Sequence, residues 1–456
     1  MDKNKTLFGL SLVIFAVLSI LSLLFAAERI IFADMAYQEV FIFCEKKPLY
    51  NWARPGSTFI QLIPLALLKL NFSLGQIIKL HSLAFILYNL LGFLFIAFIQ
   101  KQIRVAAAFA IYMILITAQS FYWCQSEYQQ GIVFIAILAA YLANSLAGQK
   151  AATTKFWLLS ALLTIWVFTF HPLIIFPVAF IFLYVFIDFE IINKRNLAKL
   201  ATIFLIALTC RFGLSWLSKY ESGKLNLGKV FFKSLPHFYE LDSTISFFTS
   251  LAYWPFLLLS ILCAATLIRK EAYSKATLFI LFQGGYLFLI LVTHPAAIDY
   301  YSENMLLPLG FVSAFVFMKE VYDKSDFSLS IIASLIIVKT FIIIDSHKLF
   351  SNRLNYLEEI IYRFTSTDSP KVILSTKKID NKKIITNWAS GYESLLLSST
   401  KNKNDSRIVL ITDSVALYSY FWDNDSNYLS NHSVFRPSQI PNNLFHLKRA
   451  RYIFTE

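Results

Sequence analysis

Residues 57–72 read "STFIQLIPLALLKLNF", and whether this stretch crosses a bilayer fixes the topology of everything after it. It is apolar but short, and it contains Pro64 and Lys69. If it spans, the cation-rich short loops "KQIR", "GQKAATTK", "DFEIINKRNLAK", "IRKEAYSK" and "KEVYDKSD" all face outward. If it lies in the interface as an amphipathic helix, the same loops fall on the side of the N-terminal "MDKNK", as the positive-inside rule requires. The stretch is therefore expected to be interfacial, with the N-terminus in the cytoplasm.

Composition agrees with that class of protein. The chain of 456 residues is 57% hydrophobic and 15% charged, with 45 Phe and a mean hydropathy of +0.59. Runs of about 20 apolar residues, long enough to cross a hydrocarbon core as helix, recur through the first three quarters. The segments of about 10 alternating residues that mark a β-barrel are missing. A net charge of +13 reads as loop cations that set orientation and meet anionic headgroups, so nucleic acid is not an expected partner. The first apolar run lacks an A-x-A-like cleavage site and reads as a retained anchor. Cys210 and Cys263 sit inside apolar runs as small hydrophobes, while Cys44 and Cys124 fall in two loops on one face, where a disulfide is conceivable.

Hydropathy places eleven spans, near 7–27, 80–100, 104–120, 127–147, 156–170, 172–187, 198–217, 245–268, 276–293, 304–319 and 327–345. The expected architecture is an all-α polytopic domain over 1–345, whose first outer loop, 28–79, carries interfacial helices. Residues 346–456 change character and form a small α/β domain on the outer surface. Its "SPKVILSTKK", "NKKIITNWAS" and "DSRIVLITDS" are short β-branched runs between polar turns, followed by the helix-prone "VALYSYFWD".

With this topology the outer side collects the unusual polar residues. The first loop, "RIIFADMAYQEVFIFCEKKPLYNWARPGS" at 29–57, brings Asp34, Glu39, Lys46, Lys47 and Arg54. "SFYWCQSEYQQ" brings Trp123, Glu127, Gln129 and Gln130; "FTFHPLIIF" turns at His171. The loop 218–244 adds Lys224, Lys229, Lys233, His237, Glu240 and Asp242, and "THPAAIDYYSENMLLPL" adds His294, Asp299, Tyr300, Tyr301 and Glu303. Most loop polarity needs no more explanation than water. Arg211 and Lys339 differ, because they interrupt the apolar runs "LTCRFGLSW" and "IIVKTFIII", where a charge costs roughly 2.5–3.5 kcal/mol. Near the outer ends of their spans, they either snorkel or hold an anion at headgroup level. Asp34 follows the first span closely in "FADMAYQ"; partial desolvation there makes a carboxylate a better base, and nearby cations oppose that effect.

The pattern resembles the GT-C superfamily of membrane glycosyltransferases, which includes the protein O-mannosyltransferases and the aminoarabinose transferase of lipid A. The resemblance rests on the multi-span layout, a long first outer loop with an acid soon after the first span, here Asp34, and an acid between the third and fourth spans, here Glu127. The paired acids of the mannosyltransferases are absent, since Met35 follows Asp34, and the late Arg-Tyr and proline pattern appears only as "YYSENMLLPL". The resemblance implies a polyprenyl-phosphate-linked sugar donor and inverting transfer, with Asp34 as base and Glu127 beside it. It implies Arg211, Lys339 and Arg54 at the leaving phosphate, and His171, Trp123, Tyr300, Tyr301 and Glu303 around sugar or acceptor. The acceptor would be an envelope glycan, lipid or protein; no cofactor is expected, and the residues suggest no metal site, since Asp34, Glu127 and His171 come from separate loops and no dense carboxylate run or His-x₃-His spacing occurs. The implied setting is a bacterial inner membrane, consistent with the Lys, Asn and Ile usage of an AT-rich genome, with the C-terminal domain periplasmic. Three alternatives stay open: an envelope polysaccharide polymerase or ligase, a non-catalytic assembly factor of the same architecture, and a lipid transporter or flippase. The last would place charges or broken helices near the bilayer midplane.

Overall fold

The computed structural model describes residues 3–50, 54–124, 126–147, 153–216, 227–324, 327–364, 369–413, 427–430 and 433–455. It is a multi-pass membrane protein built of helices. Among the described residues, seven helices are long and apolar enough to cross a bilayer, and an eighth crossing arises if Asp242–Thr249 and Trp254–Arg269, bent by 80°, count as one. The seven include α1 (Lys3–Leu24), α5 (Leu74–Leu94, extended by a π-turn to Ile99), α7 (Glu127–Leu146) and α10 (Lys194–Trp216). The eleven sequence runs all contain helix, but α6 (Ile103–Leu115), α8 (Thr154–Phe168) and the Pro172–Asp188 segment with α9 (Ile175–Asp188) have only 10–17 residues. Among the described residues, seven or eight crossings therefore meet the length criterion, and three shorter apolar helices lie in the other expected spans.

The stretch that decided the topology does not form a spanning helix. It contains a 3₁₀ turn at Pro55–Thr58 and α4 (Leu62–Lys69), whose eight residues reach about 12 Å. Before it, α2 (Ala26–Ile30) and α3 (Ala33–Glu45) follow the first span. The chain then re-enters through α5, whose start is set by a capping box: Ser73 accepts from the Gln76 amide while Gln76 reaches back to Ser73. Beyond α11 (Leu227–Ser234) lie the bent pair, α12 (Asp242–Thr249) and α13 (Trp254–Arg269), then α14 (Tyr273–Thr293), α15 (Tyr300–Val316) and α16 (Ser328–Arg363). Asp299 caps α15 by accepting from the Tyr301 and Ser302 amides.

The expected domain border at 345/346 falls in mid-helix. α16 runs unbroken for 36 residues, about 54 Å, so a helix that begins apolar ends as a polar strut carrying the C-terminal region. There β1 (Lys371–Ser375) pairs in parallel with β2 (Ile408–Thr412) on one side and β5 (Ile453–Thr455) on the other. A separate hairpin-like pair joins β3 (Asn427–Ser430) and β4 (Ser433–Phe435). α17 (Asn381–Ile384) and α18 (Ser390–Lys401) lie between β1 and β2. "KVILS" and "IVLIT" are strands as their branched residues suggest, whereas "NKKIITNWAS" folds as α17 and a turn through Ile385, at φ 56. The helix-prone 415–423 and Lys224 lie outside the described residues. Gly391 lets α18 press on β3, since a Cβ there would stand 2.5 Å from the Leu429 carbonyl oxygen.

Candidate active site

Asp34 stands at the start of α3, where the chain has just left the first span. Phe32 is extended, Ala33 takes a left-handed φ of 41°, and α3 begins, so the backbone reverses within two residues. The carboxylate of Asp34 is partly buried and accepts from the indole Nε1 of Trp123 at 3.2 Å. That indole packs on Tyr300 and Tyr301, with ring centroids 5.4 and 5.3 Å apart, and Tyr301 meets His294 at 5.6 Å. Phe32 closes the back by edge contacts to Tyr300 and Phe350. One turn along α3, Tyr37 packs against Tyr392 and Trp388. Burial, followed by the Asp34 charge, raises the Tyr37 pKa, so the phenol stays protonated beside the acid. The structure thus gathers Asp34, Trp123, Tyr300 and Tyr301 from three separate segments of the chain.

The remaining expected site residues have other surroundings. Glu127, at the first position of α7, pairs with Arg54 at 3.0 Å, and the Arg54 side chain is 6% exposed. Glu303 is fully buried and accepts from the amides of Ala118 (2.7 Å), Gln119 (3.2 Å) and Ser120 (2.8 Å), and from the hydroxyls of Ser120 (2.6 Å) and Tyr253 (3.0 Å). It is an anchor for the loop that carries Trp123, not an open acceptor contact. Lys339 is likewise fully buried and donates to the carbonyls of Ala252 (2.9 Å) and Ile116 (3.3 Å). It ties the break between α12 and α13 to the end of α6 and presents no ammonium to a headgroup. His171 is buried, stacks on Tyr128 at 4.7 Å and accepts from the Leu173 amide, which makes it a cap of the turn before α9. Arg211 is buried within α10. The thiols of Cys44 and Cys124 are buried and free, so the conceivable disulfide is not formed.

Further buried charged residues surround the site, and apart from Glu39 the sequence does not single them out. Arg29 is buried just past the first span, donates to the Phe121 and Ser82 carbonyls, both at 2.9 Å, and lies over the Phe121 ring at 4.3 Å. Glu39 makes a close buried contact with His81. Glu393, from the C-terminal region, reaches the backbone next to Asp34 across 360 residues of sequence, too far for any spacing rule, and is itself held by Arg353, 40 residues before it. Among the described residues, no three His, Cys, Asp or Glu gather as a metal site. No family model matches the chain, and neither a curated protein nor a solved structure does.

Proposed function

We propose that the protein is a membrane glycosyltransferase of GT-C type that moves a sugar from a polyprenyl-phosphate donor to an envelope acceptor. It acts at the outer face of a bacterial inner membrane, with eleven crossings and the C-terminal region outside. One observation carries the reading: a partly buried carboxylate, Asp34, directly beyond the first span and set among Trp123, Tyr300 and Tyr301. A donor whose lipid tail stays in the bilayer would bring its sugar to this height. Aromatic faces suit the apolar faces of pyranose rings, and Asp34 would take the proton of an acceptor hydroxyl. As that oxygen bonds to the anomeric carbon from the far side, the bond from carbon to phosphate oxygen breaks, the configuration inverts and the lipid phosphate departs. Arg54, held by Glu127, would meet that phosphate, whereas Lys339 is occupied by backbone carbonyls.

A second reading, a non-catalytic assembly factor with the same architecture, draws on one specific observation. Arg54 and Lys339, two of the cations expected at a leaving phosphate, bond within the protein. One experiment separates the two. Purified protein in nanodiscs is given a panel of polyprenyl-phosphate sugars and acceptors, and lipid-phosphate release is followed by mass spectrometry for wild type and Asp34→Asn. The transferase reading expects release by wild type and a loss of at least about 10² in the variant, with donor binding kept. Donor binding without turnover favours the assembly factor, and turnover that survives Asp34→Asn removes Asp34 as base.

A further inference from the structure

α3, the helix that presents Asp34, is clasped along its length by the C-terminal region. At its start the Ala33 amide donates to Glu393 Oε1 at 2.6 Å. One turn on, Tyr37 meets Tyr392 and Trp388; further along, Phe43 packs on Phe445, and the Gln439 side-chain amide donates to Glu45 at 2.9 Å. Glu393 itself is fully buried and forms an ion pair with Arg353, which is 1% exposed. Arg353 extends from α16, donates to the carbonyls of Ile384 (2.8 Å) and Thr386 (2.9 Å), and stands over the Phe32 ring at 5.2 Å. The held amide belongs to the residue with the left-handed φ, a conformation that costs an alanine on the order of 1 kcal/mol or more and needs an external partner to persist. Relaxing that turn would swing Asp34 away from the Trp123 indole.

We propose that Glu393 and Arg353 are positioning residues for Asp34: the buried pair holds the Ala33 amide, and with it the turn that aims the carboxylate, so the site is complete only when the C-terminal region is docked on α3. The inference rests on the glycosyltransferase reading for its catalytic meaning and on contacts alone for its structural one. Arg353 meets the candidate sugar site at its back wall, Phe32, and Glu393 at the Ala33 amide.

The test uses the full chain in nanodiscs as wild type, Glu393→Ala, and Arg353→Gln with Glu393→Gln together. The double variant removes both charges yet leaves a side-chain carbonyl for the Ala33 amide and an amide donor for the Ile384 and Thr386 carbonyls. Hydrogen exchange is read over the peptide spanning residues 31–38, and lipid-phosphate release is read as separate kcat and donor KM. Glu393→Ala is expected to speed exchange of that peptide at least about tenfold, as loss of a hydrogen bond to a charged group implies. Its kcat should fall about 10²-fold with donor KM little changed, the cost of a displaced reacting group. The double variant should restore much of both. Unchanged exchange in Glu393→Ala overturns the clamp, and faster exchange with an unchanged kcat overturns the positioning role. If wild type turns over no donor, the glycosyltransferase reading has failed by itself, and exchange with its rescue decides whether the clamp stands.

Discussion

The two ends of the helical bundle use buried charge in different ways. At the end that carries Lys3, charges chiefly meet charges, although Lys3 itself donates to the Tyr322 carbonyl. Asp188 binds Lys275 and Lys319, Glu320 binds Lys270 and Lys275, and Tyr184 donates to Glu320, so α9, α13, α14 and the turn after α15 are stapled side to side. At the end that carries Asp34, charges chiefly meet backbone. Glu303 takes three amides, Lys339 and Arg29 each take two carbonyls, Arg353 takes two more, and Glu393 takes the Ala33 amide. A charge that binds another side chain fixes the spacing of two helices, whereas a charge that binds loop backbone fixes the path of that loop. The first end is built to hold helices together, and the second to give irregular segments one shape.

That contrast can be broken most directly at Glu303. Glu303→Ala leaves the Ala118 and Ser120 amides and the Ser120 and Tyr253 hydroxyls without their buried acceptor. At about 1–3 kcal/mol for each unsatisfied group, partly relieved by relaxation, the expected loss is on the order of 3 kcal/mol or more. Thermal unfolding in detergent should show it, together with faster exchange of the loop that carries Trp123. Glu320→Ala at the other end should cost less, about 1–3 kcal/mol. Its partners Lys270 and Lys275 have side chains 20% and 16% exposed and can turn their ammonium groups back to water. Equal losses at the two sites would erase the distinction.

The same contrast marks what was legible in the sequence. Apolar runs become helices because a bilayer accepts little else, so all eleven runs contain one, and 57–72 was recognisable as non-spanning from Pro64, Lys69 and the loop charges. Helix length was not legible. α6 stops at Leu115 although "ITAQS" continues without a proline or glycine, because Glu303, 183–185 residues away, captures the amides of Ala118, Gln119 and Ser120. The "NKKIIT" stretch reads as a strand by its branched residues but turns, with Arg353 holding the Ile384 and Thr386 carbonyls. Asp34, Trp123, Tyr300 and Tyr301 were visible as polar and aromatic residues of the segments between apolar runs. Arg353 was not, because in "SNRLNYLEE" it has the look of a solvated helix face while being 1% exposed.

The smallest of the expected effects sharpens the contrast by asking how closed the Asp34 end is. Burial, with Glu45 adding to it, pushes the Cys44 thiol up to about 12, and burial pushes Cys124 up to about 11 although the Arg29 charge opposes it. Both thiols are therefore neutral near pH 7.5 and shielded, and maleimide should reach them only as the protein unfolds. The same pKa values predict an alkaline limb. A thiol raised in the folded state stabilises fully below its ordinary value of 9.0, and that contribution is lost as pH climbs from 9 toward about 11 for Cys124 and about 12 for Cys44. Between pH 9 and pH 10 the loss per thiol is on the order of 1 kcal/mol, and Cys44→Ala with Cys124→Ala should flatten that limb relative to wild type. A wild-type limb no steeper than the variant's, or rapid native labelling of Cys44 and Cys124, would mean that water reaches the packing between α3 and the Trp123 loop. The backbone-binding charges would then be shaping an open vestibule instead of a closed seam.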